Sequence, residues 1–213
     1  MWFFDNTRAL GILFWIVAII QLAVGILILV LPLVMPDSFE EDVEYTFYLI
    51  VGLGQVVAAL IYWWNADKVM KGKILGRINV LASYVAIVGV TSMIVYGCLG
   101  AAQVYVGVEV ETSMMVVVGA IIVALIMLLV SFKIAKGKKG LLKKIIWVIL
   151  VISFGVMLIR SVLPADDYLT LIVSIAYLII SVFMLILLFS AEVRAAMGFK
   201  VKFIEYIESG GVE

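Results

Sequence analysis

Charged residues cut this chain into long uncharged blocks, and the lengths of those blocks decide how it can fold. The uncharged stretches run 9–36, 45–66, 78–108, 112–132, 145–159 and 168–191. A helix needs about 20 apolar residues to cross a hydrocarbon core of about 30 Å, and only helices or closed barrels satisfy their backbone there. The blocks are continuously apolar rather than alternating, which selects helices over barrel strands. The pattern predicts spans near 9–33, 45–64, 78–99, 113–132, 145–163 and 168–190, the fifth interrupted toward its outer end by Arg160. The expected fold is all-α, a polytopic bundle of six transmembrane helices over 1–190, followed by a cytoplasmic amphipathic tail over 191–213. The first block is too long for a cleavable signal and lacks a strongly basic leader, so it is expected to remain as a helix.

Composition sharpens this. Of 213 residues, 66% are hydrophobic and 14% charged, where a soluble domain has about 45–50% and about 25%. The mean hydropathy is +1.28. Formal neutrality hides a polarised molecule: one set of connections collects 14 of the 15 basic residues and six acidic ones, the other nine acidic residues and only Arg160. The positive-inside rule puts the basic set in the cytoplasm, with both termini, in a cell membrane. Aromatics agree, with Tyr62, Trp63 and Trp64 at one boundary and Tyr45, Tyr48, Tyr96, Tyr105 and Tyr168 at the other.

Self-similarity adds a subdivision. Each pair of spans leaves the basic side, turns at an acidic connection and returns to a basic exit, which divides the chain into three sequential hairpins at about 1–72, 73–140 and 141–198. The exits read KVMKG at 68–72, KIAKG at 133–137 and RAAMG at 194–198, each with a cation four residues before a glycine. Physically this is a helix C-terminus, where a cation suits the negative dipole end and glycine supplies a left-handed cap. The runs GILILVLP at 25–32 and GVMLIRSVLP at 155–164, with IVGLGQVVAALI at 50–61 and VVGAIIVALIML at 117–128, resemble the HdeD-type repeat family. The third span lacks that pattern's closing proline, and the sixth has Ser174 where Gly52 and Gly119 stand. The resemblance implies a six-helix inner-membrane protein connected with acid or stress resistance and no assigned reaction.

Candidate chemistry is sparse. With no histidine, imidazole metal sites and Ser-His-Asp or Cys-His catalysis are excluded, and a single Cys98 leaves no intrachain disulfide and no CxxC pair. No phosphate loop or dinucleotide fingerprint occurs, and no cofactor is expected. Polar groups inside spans are the default suspects: Gln21 and Gln55 near mid-span, read as interhelical glue or as lining of a polar path, and Arg160, read as snorkelling outward or pairing with Asp166 or Asp167, or as an anion-binding or gating residue. Lys136, Lys138, Lys139, Lys143 and Lys144 are topology determinants or anionic-lipid headgroup contacts. The small pairs Gly52 and Gly54, Ala82 and Ala86, and Gly119 and Ala120 are expected to let helices approach closely. The expected function is that of a non-enzymatic integral membrane protein of structural or stress-resistance type. Its partners would be the lipid bilayer and a second copy of itself, with no nucleic acid. The alternative is a small-solute transporter, a channel, or a unit similar to the six-helix substrate-capture components of vitamin importers.

Overall fold

A computed structural model describes residues 7–34, 42–107, 109–137, 140–163 and 168–201. Among them are seven helices and no strand: α1 (Thr7–Val34), α2 (Asp42–Met70), α3 (Arg77–Tyr105), α4 (Val110–Lys136), α5 (Leu141–Val162), α6 (Tyr168–Phe189) and α7 (Ala191–Ala196). Five are long and apolar enough to cross a membrane, over Leu10–Val34, Tyr45–Met70, Arg77–Tyr105, Val110–Lys136 and Leu141–Val162. Among its described side chains, the apolar stretch of α6 is Tyr177–Phe189. The chain is therefore a multi-pass helical membrane protein. α2, α4 and α5 outrun their uncharged blocks by several residues, because a helix satisfies its own backbone through the interfacial layer until it is capped.

The helices pack in a nearly closed series. α1 lies along α2, α2 on α3, α3 along α4, α5 on α6, and α6 returns to α1; α3 also touches α6 and α7, whereas α4 and α5 meet over only a short stretch. The most enclosed helix is α3; α4 and α5 are the most exposed. Tyr84 of α3 ties four helices together: its ring stacks on Phe14 of α1 at 5.5 Å, and it lies 6.4 Å from Tyr62 of α2 and 6.0 Å from Phe154 of α5.

Small residues make the two longest seams. On α1 every seventh position, Gly11, Ala18, Gly25 and Pro32, is buried, and on α2 so are Gly52, Ala59 and Ala66. A Cβ at Gly11 would strike Met70 Cγ and sit 2.9 Å from its backbone nitrogen; one at Gly25 would lie 3.0 Å from the Val56 nitrogen. The backbones are thus in contact, which is what brings α1 and α2 together where lipid offers no hydrophobic drive. The α3–α4 seam works alike: Gly89 faces Ala124, Gly100 faces Ser113, and the Ser131 hydroxyl donates to the Ala82 carbonyl at 2.7 Å. Gly52 and Gly54 both serve, but against different neighbours, Leu29 on α1 and Cys98 on α3. Cys98 is accordingly a packing residue. Gly119 differs from expectation. It is exposed with nothing within 4 Å of a Cβ, because the α4 face turned to α3 passes through Ala120 and Ala124 instead.

Two of the three glycine exits are left-handed caps. Gly72 (φ +68) and Gly198 (φ +92) close matching motifs: the Gly72 N–H donates to Val69 O and the Lys73 N–H to Lys68 O, as the Gly198 N–H does to Ala195 O and the Phe199 N–H to Arg194 O. Both bonds of a Schellman cap are present each time. Gly137 departs from this, with ordinary extended backbone at φ −67 and ψ 145. There a cation replaces the glycine, since Lys143 Nζ donates to the Ile134 carbonyl at 2.9 Å.

Candidate functional site

The mid-membrane polar residues come first. Gln21 stands on α1 and Gln55 on α2, facing across the small-residue seam, and Gln21 Nε2 donates to Gln55 Oε1 at 3.1 Å. Each amide thus meets its complement inside the bundle. Arg160 does not join them: it lies exposed on α5, close enough to Tyr177 of α6 to act on it electrostatically, and no described hydrogen bond or ion pair reaches its guanidinium. Asp166 and Asp167, the expected acidic partners, lie outside the described residues. A crevice between α1 and α6 is lined by Leu10, Phe14, Val17, Ile180, Met184 and Leu187. It offers a solute no polar group.

The densest polar chemistry is at the basic end, where the sequence pattern singled out Lys143 and Lys144 but not Arg77 or Glu192. The helix α3 begins after Gly76, which has no side chain to cap it. The acceptor comes from 115 residues away: Glu192 Oε1 takes the Arg77 N–H at 3.0 Å, and its Oε2 lies 3.9 Å from Arg77 Nε. Arg77 is buried and Glu192 half-buried. Burial pushes the Glu192 carboxyl above the usual carboxylate range, while the Arg77 and Ile78 N–H groups and the Arg77 guanidinium act against that shift. Glu192 belongs to α7, a six-residue helix whose Ala191 and Val193, with Met197 just beyond, are buried against the bundle.

Lys143 completes the arrangement. Besides Ile134 O at the end of α4, its ammonium reaches Ala196 O at the end of α7, at 3.4 Å. A buried cation therefore sits where two helices present their negative ends. The Trp147 indole donates to Leu188 O at 2.7 Å, its ring packs edge-on against Phe199 at 4.9 Å, and Lys144 lies 5.6 Å over the same Phe199 ring. The segment 190–199 is thus a clasp that ties the starts of α3 and α5 and the end of α4 together. The first residues of the expected amphipathic tail pack into the bundle: Ala191, Val193 and Met197 are buried, the last two four positions apart on one side of the short helix. Residues 202–213 lie outside the described residues.

The lysine group divides accordingly. Lys143 is buried and bound to carbonyls, so it does not face lipid; Lys136 is exposed, 5.7 Å from the Phe132 ring; Lys144 is half-buried; Lys138 and Lys139 lie outside the described residues. One signal for the clasp stood in the sequence: Glu192 is an acid directly beyond the last span, on the side where cations dominate. Nothing local names Arg77 as its partner. Among the described residues no three His, Cys, Asp or Glu side chains gather. Comparison with family models, with curated proteins and with solved structures gives no match.

Proposed function

We propose that this chain is a non-enzymatic membrane protein with a structural role, crossing the bilayer six times as three consecutive hairpins with both termini cytoplasmic. The stress- or acid-resistance context rests on the resemblance to the HdeD-type repeat. The observation that carries the structural reading is the Gln21–Gln55 bond: the deepest amides in the spans hydrogen-bond to each other across the α1–α2 seam and leave Arg160 apart. A conducting or solute-binding path needs polar groups that converge on open space, and these are turned toward a partner helix instead.

Reconstitution in liposomes tests this. Wild type and Gln55→Leu should both leave ion and small-solute permeability at the level of empty vesicles. The same substitution should lower stability in detergent by about 1 kcal/mol, the scale of one interhelical hydrogen bond. A solute flux that wild type supports and Gln55→Leu abolishes would overturn the structural reading in favour of transport.

A further inference from the structure

Among the described residues, the gap between α4 and α5 is the place where long helices consecutive in the chain barely touch. They meet at the basic end through the Lys143 ammonium and the Ile134 carbonyl. Which flanks face the gap follows from the contacts. The α4 face that packs on α3 runs through Ser113, Ala120 and Ala124, and Met127, Val130 and Ile134 follow on the side of the core. One step further round, on the same side as Lys143, lie Lys133, Ile126 and Val123, all exposed. On α5, Trp147 marks the side turned to α6, and the opposite flank carries Leu142 and Ile149, also exposed. The two flanks that border the gap are therefore apolar over much of their length, with Lys133 at the basic end. Between Ser131 and Ile145 the chain has six lysines and no acidic residue, so nothing local in sequence neutralises that end.

We propose that this cleft holds one phospholipid with a negatively charged headgroup, its phosphate met by Lys133 and Lys136 and its acyl chains laid along Ile126, Val123, Leu142 and Ile149. An apolar cleft ending in cations at headgroup depth matches the two halves of such a lipid, and cations there attract anionic headgroups. Lys133 borders the gap directly, and Lys136 stands further round the last turn of α4, near Phe132, from where its long stem can swing to the same headgroup. A second copy of the chain is the less suitable occupant, because it would bring its own lysines to the same end. Lipid binding here requires only that α4 and α5 cross a membrane, whichever side the basic end faces.

Native mass spectrometry of the full-length, delipidated protein gives the test. Offered phosphatidylglycerol and phosphatidylcholine of identical chains, it should retain one phosphatidylglycerol in preference. That preference should weaken roughly fivefold for each lysine changed in Lys133→Gln and Lys136→Gln. Ile126→Trp, which narrows the cleft and leaves its charge intact, should reduce retention of both lipids. Soluble glycerol phosphate in excess should fail to displace the lipid. Equal retention of the two lipids, unchanged preference in the lysine variants, displacement by glycerol phosphate, or a dimer that excludes lipid would each overturn the proposal.

Discussion

Gly11→Leu should destabilise the protein by more than about 3 kcal/mol, beyond the usual range for an overfilled site. Overfilling typically costs about 1–3 kcal/mol when side chains can move aside. At Gly11 the obstacle is backbone: a Cβ would lie 2.9 Å from the Met70 nitrogen and 3.0 Å from the Ala66 carbonyl oxygen, besides striking Met70 Cγ. The α1–α2 seam would have to part along its length, and Gln21 would part from Gln55 with it. Gly119→Ala is the matched control, since nothing lies within 4 Å of that position. Removing a helix-interior glycine there should be neutral or stabilising by up to about 1 kcal/mol. Unfolding curves in detergent measure both; a mild effect at Gly11 would mean that α1 and α2 are not in backbone contact.

Glu192→Ala should cost about 2–3 kcal/mol. It removes the acceptor that caps α3, where losing a side-chain cap costs about 1 kcal/mol, and takes a carboxylate from beside a buried guanidinium, which costs more. Glu192→Gln keeps an acceptor oxygen for the Arg77 N–H but loses the charge beside the guanidinium, so it should cost less than Glu192→Ala, about 1–2 kcal/mol. The pair also fixes the sign of a pH effect. Because burial raises the Glu192 carboxyl above its ordinary value, the folded state holds that proton more tightly than the unfolded chain. The associated stability is then present in full below the unfolded value and is lost as pH rises through the raised one. Wild type should accordingly lose stability as pH climbs out of the carboxylate range, and Glu192→Gln should flatten that part of the profile. A profile unchanged by Glu192→Gln would place the titration elsewhere.

The sequence made the membrane class and the long helices legible because lipid imposes one rule, an uncharged run long enough to cross. It made the glycine caps at Gly72 and Gly198 legible too, since a left-handed cap is a local demand. Gly137 followed the same letters to a different end: whether a carbonyl is met by a glycine turn or by Lys143 depends on where α5 begins. Gly119 looked like a packing residue because spacing alone does not say which flank of α4 meets α3. The Glu192–Arg77 contact was hidden for the strongest reason, a separation of 115 residues between an uncapped helix start and its acceptor. Gln21 and Gln55 were legible as polar intruders, and their partnership emerged only with the register of α1 on α2.

The proposed threading requires above all that the basic helix ends share one side of the bilayer. With Cys98 replaced by serine, single cysteines at Lys73, Glu109 and Lys136 can be probed in intact cells with a membrane-impermeant maleimide. Glu109→Cys should label directly, whereas Lys73→Cys and Lys136→Cys should label only after the cells are opened. Labelling of either lysine position in intact cells alongside Glu109→Cys would contradict the threading on which the whole arrangement stands.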